Sequence, residues 1–199
     1  MTRPLALLLL LRQMQYVKCL NFFQDLLKAK ALERGRLLGL DVGDKYVGLA
    51  VSDLDNKIAT PLSVLIRKKT NIDLMASDFQ SLISELSLVG FIVGYPFDRQ
   101  QRAPDAVQVK LFIDDLSKTG KLDGVKYTFW NECFTSKQYM TSSKESHSLF
   151  FQQNADLLLK PLSLHPILSK TIVDKFAAVQ ILQTYLDYGK KNVKLETAG

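Results

Sequence analysis

Three acidic residues stand where acids are unusual. Asp41 closes the apolar run of Leu37, Leu38 and Leu40, Glu132 follows the run from Val125 to Trp130, and Asp174 lies among apolar residues near the start of the last helical pattern. Burying a carboxylate without a partner is costly, so each needs a reason to be there. For Asp41 two readings stay open: a structural hydrogen bond to the amides of the turn that follows, or a site for a cation or phosphate. If the three acids sit at the ends of neighbouring strands and on a helix crossing that edge, they converge, and their mutual repulsion calls for cations between them. Hard carboxylate oxygens favour Mg²⁺ or Mn²⁺. A pair of such ions activates water and stabilises the leaving oxygen in phosphodiester cleavage.

The elements that must position these acids are legible in outline. Arg36 to Asp53, RLLGLDVGDKYVGLAVSD, reads as two strands joined by a tight turn at Gly43. Ile58 to Ile66 follows, with Pro61 marking an edge strand or an irregular entry. After the basic turn Arg67, Lys68 and Lys69, Asn71 caps a helix running to about Leu88, with Ile72, Met75, Phe79, Leu82, Ile83 and Leu86 on one face. Val89 to Val93 is almost wholly apolar, as a strand covered on both sides must be, and ends at Gly94, Tyr95 and Pro96. A polar loop from Asp98 to Asp105 leads through Pro104 into a helix with Val109, Phe112, Ile113 and Leu116 on one stripe. Val125 to Trp130 is the next strand. A polar, serine-rich stretch from Thr135 to about Gln153 reads as loop, Ala155 to Leu159 as a short helix, and His165-Pro166 as an extended turn. Ile172, Phe176, Val179, Leu182 and Leu186 mark a last helix closed by Gly189. A hairpin followed by alternating helix and strand defines an α/β protein with a mixed sheet flanked by helices on both faces.

Composition bounds the class. At 199 residues, 47% apolar and 23% charged, the chain suits one folded domain and excludes wholesale disorder. The net charge of +6 permits an anionic partner without demanding one. Cys19 and Cys133 are far apart and lack metal-ligand spacing, so neither a disulfide framework nor a zinc site is indicated, and a reducing compartment fits. Near the N-terminus Leu5 to Leu11 is apolar but far shorter than the roughly 20 residues that span a bilayer. No small-residue cleavage pattern follows it, which argues against secretion. Residues 1–35 are expected as an extension with a docked helix over Gln15 to Ala31, the basic excess before residue 32 leaves an organellar transit peptide open beside a cytoplasmic location, and Met14 is an alternative start.

GLDVG, GLAVSD, the FIVGYP strand end, NECFTS and VDKFAAVQIL stand in an order that resembles the YqgF family, also called RuvX, over about Arg36 to Asp187. The resemblance implies a ribonuclease H-like fold over residues 36–189, with 190–199 a basic tail, and a metal-dependent nuclease acting on structured nucleic acid. Members are linked to maturation of the 5′ end of small-subunit ribosomal RNA and, by similarity to RuvC, to four-way DNA junctions. The family's acidic positions fall on Asp41, Glu132 and Asp174, implying ligands for Mg²⁺ or Mn²⁺. Gly94 and Pro96 match its strand-end loop, and Lys45, Arg99, Arg102, Thr135 and Lys175 become candidate substrate contacts. Structured RNA, with a ribosomal precursor as its source, is the expected partner, and the protein is expected as a monomer or homodimer without membrane association.

This chain departs from the family pattern. Asn131 and Cys133 stand where the family usually has Asp and Arg around the glutamate, and about fifteen residues near 138–153 look inserted. Those departures keep a weakly active or inactive RNA- or ribosome-binding protein of the same fold as an alternative. A phosphotransferase of the actin and sugar-kinase group shares the Asp-Xaa-Gly hairpin, but the only other such triplet, Asp187-Tyr188-Gly189, lies at a helix end. His147 and His165 read as surface residues, and Trp130 as core packing rather than a base-stacking platform.

Overall fold

In the computed structural model, residues 13–28, 35–67, 69–96, 104–130 and 166–197 are described. They form strands β1 (Gln15–Tyr16), β2 (Arg36–Val42), β3 (Tyr46–Ser52), β4 (Ala59–Ile66), β5 (Leu88–Gly94) and β6 (Lys126–Trp130), and helices α1 (Cys19–Lys28), α2 (Ile72–Leu86), α3 (Pro104–Lys118) and α4 (Pro166–Thr197). The six strands make one sheet in the order β1-β6-β5-β2-β3-β4. β2 pairs antiparallel with β3 and parallel with β5, and β3 pairs antiparallel with β4. The sheet is therefore mixed, with β2 at its centre.

Period-two alternation sends side chains to two cores. Leu38, Leu40, Val47, Leu49, Phe91 and Val93 meet Met75 and Phe79 of α2 and Val109, Phe112 and Ile113 of α3. Leu37, Ala50, Ile92 and Trp130 meet Phe22 and Phe23 of α1 and Ala178, Leu182, Tyr185 and Leu186 of α4. Both sheet faces are covered, as the apolar strands required.

The polar end of GLAVSD is structural. Ser52 is buried; its Oγ accepts the Leu37 amide at 2.8 Å and donates to Asn56 Oδ1 at 2.6 Å, while Asn56 Nδ2 donates to the Gly35 carbonyl at 2.9 Å. Asn56 holds φ at 52°, a left-handed conformation that asparagine tolerates. Asp53 Oδ1 accepts the amides of Lys57 and Ile58. Burial pushes the Asp53 carboxyl up, but those amides and the nearby charges of Lys190 and Lys57 outweigh it and hold it below its ordinary value.

Several boundaries differ from the sequence expectation, each for a physical reason. The expected helix over Gln15 to Ala31 begins only at Cys19, because Gln15 and Tyr16 pair parallel with Lys126 and Tyr127 as an edge strand. The Gln15 amide donates to the Val125 carbonyl at 2.8 Å and the Val17 amide to the Tyr127 carbonyl at 2.9 Å. Pro166 opens α4 instead of holding an extended turn, the N-terminal position where its missing N–H costs nothing. Gly189 does not close α4, which runs on to Thr197 and takes in most of the expected basic tail. A Cβ at Gly189 would collide with the Phe23 ring, so this glycine serves the close approach of α1 to α4. Asn71 precedes α2 but makes no side-chain capping bond, and the helix ends at Leu86, where Ser87 turns left-handed with φ 53°. Pro61 lies on edge strand β4, opposite a register shift between Leu49 and Ala50. The expected short helix over Ala155 to Leu159 and the insertion near 138–153 lie outside the described residues.

Candidate carboxylate site

Asp41 is the penultimate residue of β2, half-buried, and pairs across the antiparallel ladder with Gly48 of β3. Directly opposed residues put their Cβ atoms on the same face about 4.5–5.5 Å apart. That face is the one α4 covers: Leu37 belongs to the α4 core, and a Cβ on Gly39 would sit 2.8 Å from Leu182 Cβ and 2.9 Å from the Ala178 carbonyl oxygen. At Gly48 the approach is closer still. A Cβ there would overlap the main-chain carbonyl of Asp174, with its carbon at 2.6 Å and Asp174 Cβ at 3.3 Å. The backbone of Asp174 thus lies directly on the residue that faces Asp41. Two acids separated by 133 positions share one end of one sheet face, because glycine leaves the space in which the helix lies.

The approach is repeated along α4. Gly94 of β5 would place a Cβ against Ile181, with Cγ1 at 3.1 Å, and 3.3 Å from the Leu40 carbonyl oxygen. Leu40 pairs with Val93, so Gly94 ends its strand one step beyond and next to Asp41. Pro96 follows two residues later and is exposed. Lys45 is exposed in the turn after Asp41, and half-buried Lys175 follows Asp174 on α4. One carboxylate oxygen of Asp174, Oδ2, is buried. The structure therefore brings the backbone of Asp174 onto Gly48, opposite Asp41 and near Gly94, while Lys45, Pro96 and Lys175 follow these residues along the chain. Glu132, Arg99, Arg102 and Thr135, with Asn131 and Cys133, lie outside the described residues. Among the described residues no group of three or more His, Cys, Asp or Glu gathers as a metal cluster.

Two residues of this region were missed in the sequence. Gly48, read only as part of a strand, is the contact surface for Asp174; small residues interrupting an apolar strand opposite an acid were its signal. Arg67, read as one of three basic turn residues, donates from Nη1 to the Gly43 carbonyl at 3.0 Å and through its own amide to the Lys45 carbonyl at 2.8 Å. Burial pushes its guanidinium below the ordinary value while the charges of Asp44 and Asp115 oppose this, and an arginine stays protonated throughout. Trp130 packs as expected: it is buried, Nε1 donates to Thr184 Oγ1 at 2.8 Å, and its ring meets Tyr185 and Tyr188.

The described residues form an α/β protein whose central strand carries one acid, Asp41, near its end and is crossed there by a helix carrying a second, Asp174. The model of the RuvX family, described as Holliday junction resolvase, matches residues 35–188. A protein of Carboxydothermus hydrogenoformans named "Putative pre-16S rRNA nuclease" is 32% identical over 158 residues, covering 79% of this chain and 99% of the relative. The protein of that name from Ruegeria pomeroyi is 33% identical over 152 residues, with 76% and 85% covered. That from Rhodobacter capsulatus is 39% identical over 106 residues, with 52% of this chain and 64% of the relative covered. Among solved structures, Thermus thermophilus RuvC in complex with Holliday junction substrate aligns at a TM-score of 0.49 and 14% identity, over 79% of this chain and 96% of that one. The chain belongs to the RuvX family, and its sheet is mixed and covered by helices on both faces, as its sequence implied.

Proposed function

We propose that the protein is a divalent-metal-dependent nuclease that hydrolyses phosphodiester bonds in structured nucleic acid, with precursor ribosomal RNA as its substrate. The observation that carries this reading is the seating of Asp174 on Gly48, opposite Asp41. Two carboxylates held side by side repel unless a cation lies between them, and their hard oxygens suit Mg²⁺ or Mn²⁺. Asp41 and Asp174 fit that role, with Glu132 as the third ligand or the group that orients water. When bound, the metal supplies an activated water and charge stabilisation at the leaving oxygen.

The chain's own residues do the rest. β2 and α4 fix the two acids in position before substrate arrives, so little reorganisation is needed at the moment of reaction. Lys45 and Lys175 flank the acids and meet the phosphates on either side of the cleaved bond, with Arg99, Arg102 and Thr135 extending that contact. Gly94 leaves the space in which Ile181 of α4 packs on the strand end, which seats the helix that carries Asp174. Among the described residues no helix is long and apolar enough to cross a membrane.

The test is cleavage of matched RNA and four-way DNA substrates with Mg²⁺ and with Mn²⁺, beside Asp41→Asn. Metal-dependent cleavage of RNA, abolished in the variant, is the expected result. Preferential cleavage of the junction would move the substrate to DNA. Salt-sensitive RNA binding without cleavage at saturating Mn²⁺ would replace the nuclease with a binding protein, for which the Asn131 and Cys133 departures give a reason.

A further inference from the structure

Among the described residues, Arg67 braces the turn that follows Asp41. Gly43, Asp44 and Lys45 are exposed, and the turn closes on itself through the Gly43 amide, which donates to the Tyr46 carbonyl at 3.0 Å. Arg67, the residue after β4, meets this turn at both ends, at the Gly43 carbonyl through Nη1 and at the Lys45 carbonyl through its main chain. The other edge of the guanidinium reaches α3: Nη2 donates to Gln108 Oε1 at 3.2 Å and to the Gln108 carbonyl at 3.4 Å. Its carbon lies 5.2 Å from the centre of the buried Phe112 ring. The charges that face it are Asp44 of the turn and Asp115 of α3. The guanidinium thus spans the turn and α3, seated over a buried ring.

We propose that Arg67 is a positioning residue for the carboxylate centre, fixing the Gly43 to Lys45 turn against α3 so that Asp41 and Lys45 keep one geometry. This deepens the nuclease reading and rests on it for the catalytic consequence; the bracing itself does not. A planar fork with donors on two edges can hold two carbonyl groups at once while lying over an aromatic ring, which a lysine ammonium cannot do. The turn begins two residues after Asp41, so loosening it frees the end of β2. Displacements of about 1 Å at a reacting centre cost on the order of 100-fold in rate.

The experiment compares Arg67→Lys and Arg67→Ala with the wild-type full chain, by amide hydrogen exchange and by steady-state cleavage of RNA. The expected exchange result is loss of at least ~10-fold in protection at the Gly43 amide in both variants, a local opening. The Leu40 and Leu49 amides keep their protection. The expected kinetic result is a fall of roughly 10- to 100-fold in kcat with KM within about twofold, unrescued by lysine. If instead lysine restores kcat, KM rises in the alanine variant, and the salt slope of RNA binding drops by about one, Arg67 is a phosphate contact and the proposal is overturned. Unchanged protection at Gly43 overturns it whatever the kinetics. Should the wild type cleave neither RNA nor DNA while protection at Gly43 is still lost, the nuclease reading falls and the brace stands.

Discussion

In the proposed site, Asp41 is assigned the chemistry and Gly48 the space. Asp41→Asn keeps the side chain's size but removes the charge, so cleavage should fall by more than about 100-fold, beyond the 10- to 100-fold typical of losing a group that only supports a ligand. The thermal midpoint in EDTA should stay within a few degrees of wild type, which calorimetry reads directly. A midpoint collapse would instead assign Asp41 to the structural role that its sequence position also allowed. Gly48→Ala is the complementary case. The added methyl meets main chain rather than a flexible side-chain tip, so it cannot be relieved by a rotamer change. A cost of about 2–3 kcal/mol in urea unfolding is expected, together with loss of cleavage as the Asp174 end of α4 lifts. Asp41 stood out because an acid among leucines has few explanations, yet its position alone left a structural hydrogen bond and a cation site both open. Gly48 was not, because a glycine in a strand reports the need for space without naming what fills it. Glu132, the third acid singled out, lies outside the described residues and stays a proposal.

At the scale of elements, α4 determines whether the two acids meet, and α1 with β1 determines whether α4 stays in place. Phe22 is buried, and its ring fills the space left by Gly90 of β5; Phe23 does the same at Gly189 of α4. The Tyr185 hydroxyl, from α4, donates to the Cys19 carbonyl at 2.9 Å. These contacts come from residues 14–28, ahead of the family-matched 35–188, so the extension is built into this sheet. Phe22→Ala should lower stability by about 3–5 kcal/mol, measured by urea unfolding, and a variant as stable as wild type would show the extension to be dispensable. The helix periodicity found α2, α3 and most of α4. It misplaced the first segment because Tyr16 fits a helical stripe and a two-residue edge strand equally well, and only pairing with β6 separates the two. The run of α4 past Gly189 was equally hidden, since a glycine signals a helix end unless a partner helix needs its bare backbone.

For the whole molecule, the pH dependence of stability follows from groups away from the site. Burial, with smaller contributions from Cys19 and Asp25, pushes the Tyr185 phenol well above its ordinary value. A raised folded-state value contributes stability that is complete below the unfolded phenol's value of about 10 and is lost as pH rises beyond it. Thermal midpoints should therefore fall above roughly pH 10, less steeply in Tyr185→Phe. Asp53, held below its ordinary value, works in the other direction: its contribution is present above about pH 4 and disappears as pH falls through the folded-state value. The fold class was legible almost entirely, since apolar strands alternating with amphipathic helices permit few other arrangements. The convergence of the acids was readable only through the family resemblance, because it depends on where a helix more than a hundred residues downstream lies on the sheet. That convergence is tested most directly by titrating Mn²⁺ into the wild type, Asp41→Asn, Asp174→Asn and the double variant by calorimetry. If the two acids form one centre, each single variant loses the binding seen in the wild type and the double loses nothing further. Wild-type affinity in either single variant, or losses that simply add, would contradict a shared centre.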